Sequence, residues 1–175
     1  MFGLLKKNPP QDISTRLVNQ AIGGQSVMYR FFREGLACEE SSIRKIELSY
    51  FAMSVLSIAY LAVSRDLRRT ETLDAFTQQM LRRAMKANAS TEPYEAIVAK
   101  YQARFGEYQA LLHALLDPKT PKTADAAVTL LMHAYEQVTA SSAAPHMIHI
   151  MAGGKIALQF VTDNLDFVRR GLPAQ

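Results

Sequence analysis

The feature that most constrains the fold is a run of apolar and aromatic residues with a regular spacing between Tyr94 and Leu115. Seven residues follow one another at alternating intervals of four and three: Tyr94, Val98, Tyr101, Phe105, Tyr108, Leu112 and Leu115. On an α-helix this spacing places all seven side chains along one stripe. The stripe predicts a long helix that packs along its whole length and carries three tyrosine hydroxyls on its packed side.

Two further stripes with the same spacing occupy the last third of the chain. One holds Ala124, Val128, Leu131, Tyr135 and Val138; the other holds Met147, Met151, Gly154, Leu158, Val161, Leu165 and Val168. No segment shows the period-two alternation of a half-buried strand. Short connections make successive helices antiparallel neighbours. The sequence therefore predicts an all-α fold, a single-domain up-and-down bundle of five to six helices over residues 1–175, with residues 1–11 as a flexible N-terminal segment.

Prolines, glycines and capping residues set the expected helix ends. The six predicted helices span about residues 12–34, 40–66, 72–87, 93–116, 121–138 and 147–170. Gly35 is expected to cap the first helix, because glycine adopts positive φ without a steric penalty. Thr120 and Pro121 are expected to begin the fifth helix, and Pro118 to end the fourth.

The second predicted helix is apolar on nearly every side. Residues 46–64 contain one charge, Glu47, which approaches the composition of a membrane span. Serines and tyrosines within it, and the amphipathic character of the other helices, favour the central helix of a soluble bundle. The single cysteine, Cys38, and the absence of a secretory signal pattern predict a cytoplasmic protein with no transmembrane segment. The mild net charge of +4 argues against a DNA-binding protein.

Two glycine pairs interrupt helical segments at positions where alanine would favour the helix by about 1 kcal/mol. They are Gly23-Gly24 in the first helix and Gly153-Gly154 in the last. Gly24 and Gly154 fall on the apolar stripes, which predicts that these two helices cross closely at both glycines. The alternative is a hinge, or a gap at which a ligand meets bare backbone.

Catalytic and metal-binding patterns are sparse. The histidines are His113, His133, His146 and His149, and no Glu-x-x-His motif of the di-iron bundles occurs. His146 and His149 share one helical turn, but His133 is expected to lie on the order of 10–15 Å away along the neighbouring helix. The carboxylates that flank Cys38 oppose formation of its thiolate. We expect no catalytic metal, no cofactor and no catalytic thiol, which favours a non-enzymatic protein; a haem held by one histidine stays open.

Two surface features suggest partners. Basic residues cluster before and at the end of the third helix: Arg65, Arg68, Arg69, Arg82, Arg83 and Lys86. RNA or an acidic surface is left open as a partner, although few aromatic side chains interleave with these charges. The Phe2–Leu5 segment could touch a membrane surface or another chain.

Two functions follow from the sequence. The first is a protein–protein interaction module that forms a homodimer, because one bundle interior does not easily hold so many apolar faces. The second helix is the first expected interface and the Phe2–Leu5 segment is the next. The alternative is a binding or sensor protein for a small hydrophobic or aromatic ligand, haem included. Its pocket would lie between the fourth and last helices, with Tyr101, Phe105, Tyr108 and Gly154 as candidate lining residues.

Overall fold

The computed structural model describes residues 12–64, 67–116 and 124–172, and these residues form an all-α bundle. No β-strand occurs in these ranges, so the predicted fold class is confirmed. Six α-helices run along the described chain: α1 (Ile13–Arg30), α2 (Lys45–Val63), α3 (Arg69–Ala87), α4 (Tyr94–Leu116), α5 (Ala124–Thr139) and α6 (Met147–Asp166). A π-turn, Phe31–Gly35, extends α1, and a second, Phe167–Gly171, extends α6.

The centre of the bundle is α2. Every side chain from Leu48 to Tyr60 is buried, and α2 packs against α1, α3, α4, α5 and α6. Within the described ranges α2 is the one helix long and apolar enough to cross a membrane, yet 78% of that window is buried inside the bundle. A core helix passes the same test of length and composition. The expectation that α2 forms the dimer interface is therefore wrong for residues 48–60, because the protein's own helices cover them.

The helix ends differ from the prediction that glycine provides a positive-φ cap. No glycine in the described chain has a positive φ, whereas Ala37, Ala89 and Ala140 do, with φ values of 54°, 47° and 55°. Gly35 lies instead under the ring of Phe31, where an added Cβ would come within 2.6 Å of a ring carbon. Gly35 is thus required for packing rather than for backbone conformation.

The other boundaries differ by a few residues. Residues Glu40–Ser42 form a separate 3₁₀ turn, so α2 begins at Lys45 rather than at residue 40. The α3 helix begins at Arg69, three residues earlier than expected. The predicted cap at Thr120-Pro121, the predicted end of α2 at residues 65–66 and the predicted segment 1–11 lie outside the described residues.

Helices α1 and α6 are antiparallel neighbours that meet through their side chains. The Gln20 amide nitrogen lies 3.4 Å from the Asn164 amide oxygen, and the ring of Phe160 covers Gly24. At the other end of α1 the ring of Phe31 covers Gly153. Increasing residue numbers along α1 therefore pair with decreasing residue numbers along α6. The first and last helices do meet at Gly24, but the partner residue is Phe160 rather than Gly154.

Glycine is needed at both of these contacts for a steric reason. A Cβ built on Gly24 would lie 2.9 Å from a ring carbon of Phe160. A Cβ built on Gly153 would lie 2.5 Å from the Phe31 ring and 2.9 Å from a Leu131 methyl group. Gly23, by contrast, has no atom within 4 Å of its Cβ position. The packing explanation of the glycine pairs thus applies to one glycine of the first pair and to Gly153 of the second.

Candidate interaction surface

The aromatic stripe of α4 packs mainly into the core. Tyr101 and Tyr108 are buried, and Phe105 is half-buried with its ring centre 6.0 Å from that of Tyr101. Tyr108 contacts Phe51 of α2, at a ring separation of 5.2 Å. Gly154 is buried within α6. The three grooves described below are lined by other residues, so a pocket at Tyr101, Phe105, Tyr108 and Gly154 stays a prediction.

A chain of charged side chains links α2, α4 and α5 at the edge of this core. The Arg104 Nε atom donates to the Glu47 carboxylate at 3.0 Å, and Glu47 is buried. The Arg104 Nη1 atom donates to both oxygens of Glu107 at 3.0 Å. A Glu107 oxygen lies 3.0 Å from the His133 Nε2 atom. This chain gives the buried carboxylate of Glu47 a cationic partner and ties three helices together.

Three hydroxyl groups near this chain are buried without a hydrogen-bond partner in the described structure: those of Tyr50, Ser54 and Tyr108. Burial, with a smaller contribution from the Glu47 carboxylate, raises the pKa of Tyr50 to about 12. The same two causes raise the pKa of Tyr108. Each unpartnered hydroxyl costs free energy of folding, on the order of 1–3 kcal/mol. Because their pKa values are raised, the phenols of Tyr50 and Tyr108 stay neutral at physiological pH.

Three of the histidines have different surroundings. His133 belongs to the charged chain, the ring of His146 lies 5.2 Å from that of Tyr135, and His149 is exposed. Within the described residues no three His, Cys, Asp or Glu side chains are close enough to hold a metal ion. Burial raises the pKa of the Cys38 thiol. The expected direction of that shift is right, but its cause is burial rather than the neighbouring carboxylates.

The predicted basic clusters are separated by the length of a helix. Arg69 begins α3, while Arg82, Arg83 and Lys86 lie in its last turns, about 20 Å from Arg69 at 1.5 Å per residue. Arg82 packs its guanidinium over the ring of Tyr94, 4.8 Å from the ring centre. Arg65 lies outside the described residues. The basic side chains of α3 therefore form two separate patches.

The exposed large apolar side chains are concentrated on two helices, α1 and α6. In the described chain six such residues are exposed, and four of them belong to these two helices. Ile148 is 82% exposed, Met151 61%, Val27 56% and Ile156 43%. Val27 and Ile156 line one groove between α1 and α6, whereas single exposed apolar residues scattered over a surface are ordinary. We call the surface of α1 and α6 that carries Val27 and Ile156 at this groove the α1–α6 face.

A groove of about 450 Å³ runs along this face between the two helices. Its lining residues are Gln20, Gly23, Gly24 and Val27 of α1, and Lys155, Ile156, Gln159, Phe160, Asp163 and Asn164 of α6. A shallower extension of about 280 Å³ continues beside Val27 and Ile156 to Arg30, Phe31, Glu34 and Gly35. The paired glycines deepen the groove, because Gly23 and Gly24 bring no side chains into it.

Charged side chains of both signs surround the α1–α6 face. Arg30 and Lys155 are the cations at its edge, and Glu34 and Asp163 are the anions. A third groove, of about 590 Å³, adjoins the face around Tyr29 and Glu40. There the Tyr29 hydroxyl donates to Glu40 at 2.7 Å, and this bond and the nearby Arg33 lower the pKa of the Glu40 carboxyl. The face is thus apolar at its centre and electrostatically balanced at its edge.

The sequence contains a signal for this face that the heptad stripes hide. Ile148, Ala152 and Ile156 are spaced by four and form a second apolar stripe on α6 beside the packed one. Met151 belongs to the predicted packing stripe, yet it is exposed because no described helix covers the start of α6 on that side. Val27 belongs to none of the predicted stripes, so no sequence signal marks it as part of this face.

The comparisons with known proteins add no relative. No protein-family model, no curated protein and no solved structure matches this chain.

Proposed function

We propose that this protein is a non-enzymatic interaction module that forms a homodimer through the α1–α6 face. The observation that carries the proposal is that Val27 and Ile156, which are 56% and 43% exposed, line one groove between α1 and α6, while Ile148 and Met151 are also exposed on α6. Exposed apolar patches of this kind mark contact sites on soluble proteins. Burying one such side chain contributes on the order of 1.5–3 kcal/mol.

The edge charges favour a second copy of the chain as the partner. Arg30 and Lys155 balance Glu34 and Asp163, so two copies of the face do not repel each other. A two-fold axis places the same surface on both sides of a contact, and a patch with both charge signs can then pair with itself. An anionic membrane or a nucleic acid would instead favour an excess of cations around the apolar centre.

The oligomeric state tests this proposal. Sedimentation velocity at micromolar concentrations should show a species of twice the 19.5 kDa chain mass. Ile156→Glu should weaken association at least ten-fold, because it places a charge at the apolar centre of the contact. The matched control is Leu67→Glu, which changes a 99% exposed leucine beyond the end of α2 and should leave association unchanged. A wild-type monomer at all concentrations refutes the proposal.

A second candidate function rests on the unpartnered hydroxyls of Tyr50, Ser54 and Tyr108. Buried hydroxyls of this kind would gain hydrogen bonds from a small, largely apolar ligand with a polar group, which keeps the ligand-binding alternative open. Native mass spectrometry of the purified protein tests it. A bound mass that is lost in the variant Tyr108→Phe would support this function, and the unmodified chain mass alone would reject it.

A further inference from the structure

A stripe of solvent-exposed residues runs along α6 beside the groove. Five exposed residues follow one another at intervals of three and four: His149, Ala152, Ile156, Gln159 and Asp163. This spacing places their side chains along one line of the helix. The last three also line the groove between α1 and α6. These five residues, which we call the α6 stripe, thus have the spacing of a helix–helix contact although all of them are exposed.

Small residues along this surface leave room for another helix. Ala152 has the smallest side chain of the α6 stripe. Gly23 lines the groove beside the stripe, and no atom lies within 4 Å of its Cβ position. Neighbouring helix axes lie about 8–10 Å apart, and the distance depends on the size of the side chains at the contact. A helix is therefore an occupant of suitable shape for this groove.

The charges on the α6 side of the groove have opposite signs toward its two ends. Lys155 and Asp163 both line the groove and lie eight residues apart, about 12 Å along α6. Among the residues that the structure describes, no ion pair involves either of them. Asp163 accepts one hydrogen bond, from the Gln159 amide nitrogen at 2.6 Å. A helix that carries the same two charges in the reverse order can therefore pair with both.

We propose that the occupant is α6 of the second copy, and that the two α6 helices run antiparallel across the two-fold axis. This inference rests on the proposed function, because it names the part of the second copy that binds the α1–α6 face. With the axis between Ile156 and Gln159, the two Ile156 side chains meet near the centre, and Lys155 of each copy comes within reach of Asp163 of the other. Parallel helices would instead bring lysine against lysine and aspartate against aspartate.

Charge reversal tests the pairing by sedimentation equilibrium at low salt, where exposed charges are least screened. Lys155→Glu should weaken the homodimer about ten-fold, because it places two glutamates against two aspartates. Asp163→Lys should weaken it to a similar extent, because it places lysine against lysine. The matched control Lys86→Glu makes the same change of charge in the last turn of α3 and should leave the dissociation constant within about two-fold of the wild type.

The double variant Lys155→Glu with Asp163→Lys should return to within about three-fold of the wild type, because each contact again joins a cation to an anion. A dimer that both single variants leave unchanged, or that the double variant does not restore, overturns the antiparallel pairing and keeps the proposed function. A wild-type chain that stays monomeric at all concentrations rejects the proposed function together with the pairing.

Disulfide formation gives a second measurement of the helix direction. In a Cys38→Ser background, chains that carry Ala152→Cys and chains that carry Asp163→Cys should form a mixed disulfide dimer when they are combined under mild oxidation. Antiparallel helices place these two positions opposite each other, with Cα atoms within about 7 Å. Neither chain should cross-link to a copy of itself, which is the internal control. A disulfide between two Asp163→Cys chains, or no mixed disulfide in a protein that dimerises, overturns the pairing.

Discussion

Helices α2 and α6 are both rich in apolar residues, yet they relate to solvent in opposite ways. The apolar side chains of α2 from Leu48 to Tyr60 are buried by the other five helices. On α6, Ile148, Met151 and Ile156 remain exposed, and Ile156 lines a groove. The difference is one of position: α2 is surrounded, whereas α6 has neighbours on only part of its circumference.

The two helices show that the apolar content of a helix does not by itself predict whether the helix forms a contact surface. When the most apolar helix of a chain lies at the centre of a bundle, the other helices of the same chain bury its side chains. A contact surface arises instead where a helix at the periphery carries more apolar residues than its neighbours cover. In this protein α6 carries such uncovered apolar residues, and Val27 of α1 lines the same groove as Ile156.

The largest expected effect contrasts the two helices directly. Phe51→Ala in α2 should lower the free energy of unfolding by about 3–5 kcal/mol, because Phe51 is fully buried between the rings of Tyr108 and Phe160. Ile148→Ala in α6 should change it by less than about 0.5 kcal/mol when both proteins are measured below the dimer dissociation constant, where Ile148 is exposed to solvent. Urea denaturation measures both values. Equal losses in the two variants would contradict the assignment of core and surface.

The next largest effect compares Gly153, whose Cβ position is filled by neighbouring side chains, with Gly23, whose Cβ position is open. Gly153→Leu should destabilise the fold by about 1–3 kcal/mol, because the Phe31 ring and Leu131 already fill the space. Gly23→Ala should stabilise it by up to about 1 kcal/mol, because its Cβ meets no atom and alanine favours the helix. Thermal unfolding of both variants would refute the packing explanation if the melting temperature rose in Gly153→Leu.

A third effect concerns the buried polar groups around α2. Tyr108→Phe should raise the free energy of unfolding by about 1 kcal/mol, because it removes a hydroxyl that is buried without a partner. Tyr101→Phe is the matched control, because the Tyr101 hydroxyl lies 3.5 Å from that of Ser57, and it should give no gain. A loss of stability in Tyr108→Phe would show that its hydroxyl has a partner.

The smallest expected effect lies at a helix end. Ala89→Gly should stabilise the protein by about 0.5–1 kcal/mol, because Ala89 has a φ of 47° after the end of α3 and glycine adopts this conformation without strain. Ala87→Gly, two residues earlier within α3, is the control and should destabilise the helix. The same sign in both variants would contradict this account of the cap.

Much of the fold could be predicted from local patterns. The stripe from Tyr94 to Leu115 predicted α4 because its period is that of a helix, and the charge-poor run around Glu47 predicted a central helix. The caps were missed because alanines occupy the left-handed positions while Gly35 and Gly153 serve packing. Sequence spacing does not reveal which neighbouring ring lies over a glycine.

The candidate site was less accessible to sequence reasoning. Exposure depends on which helices lie beside one another, and Met151 and Leu165 occupy the same predicted stripe but differ in exposure. Val27 becomes part of a surface only because α1 and α6 are antiparallel neighbours. That arrangement is set by long-range contacts such as Phe160 over Gly24, which no local pattern encodes.

The central claim is that the α1–α6 face, and not α2, forms the dimer contact. Sedimentation equilibrium of Val27→Glu and Leu61→Glu tests it most directly, since Val27 is 56% exposed on the face and Leu61 is 39% exposed at the end of α2. Val27→Glu should raise the dimer dissociation constant at least ten-fold, while Leu61→Glu leaves it within about two-fold of the wild type. A dimer lost in Leu61→Glu and retained in Val27→Glu would contradict the account.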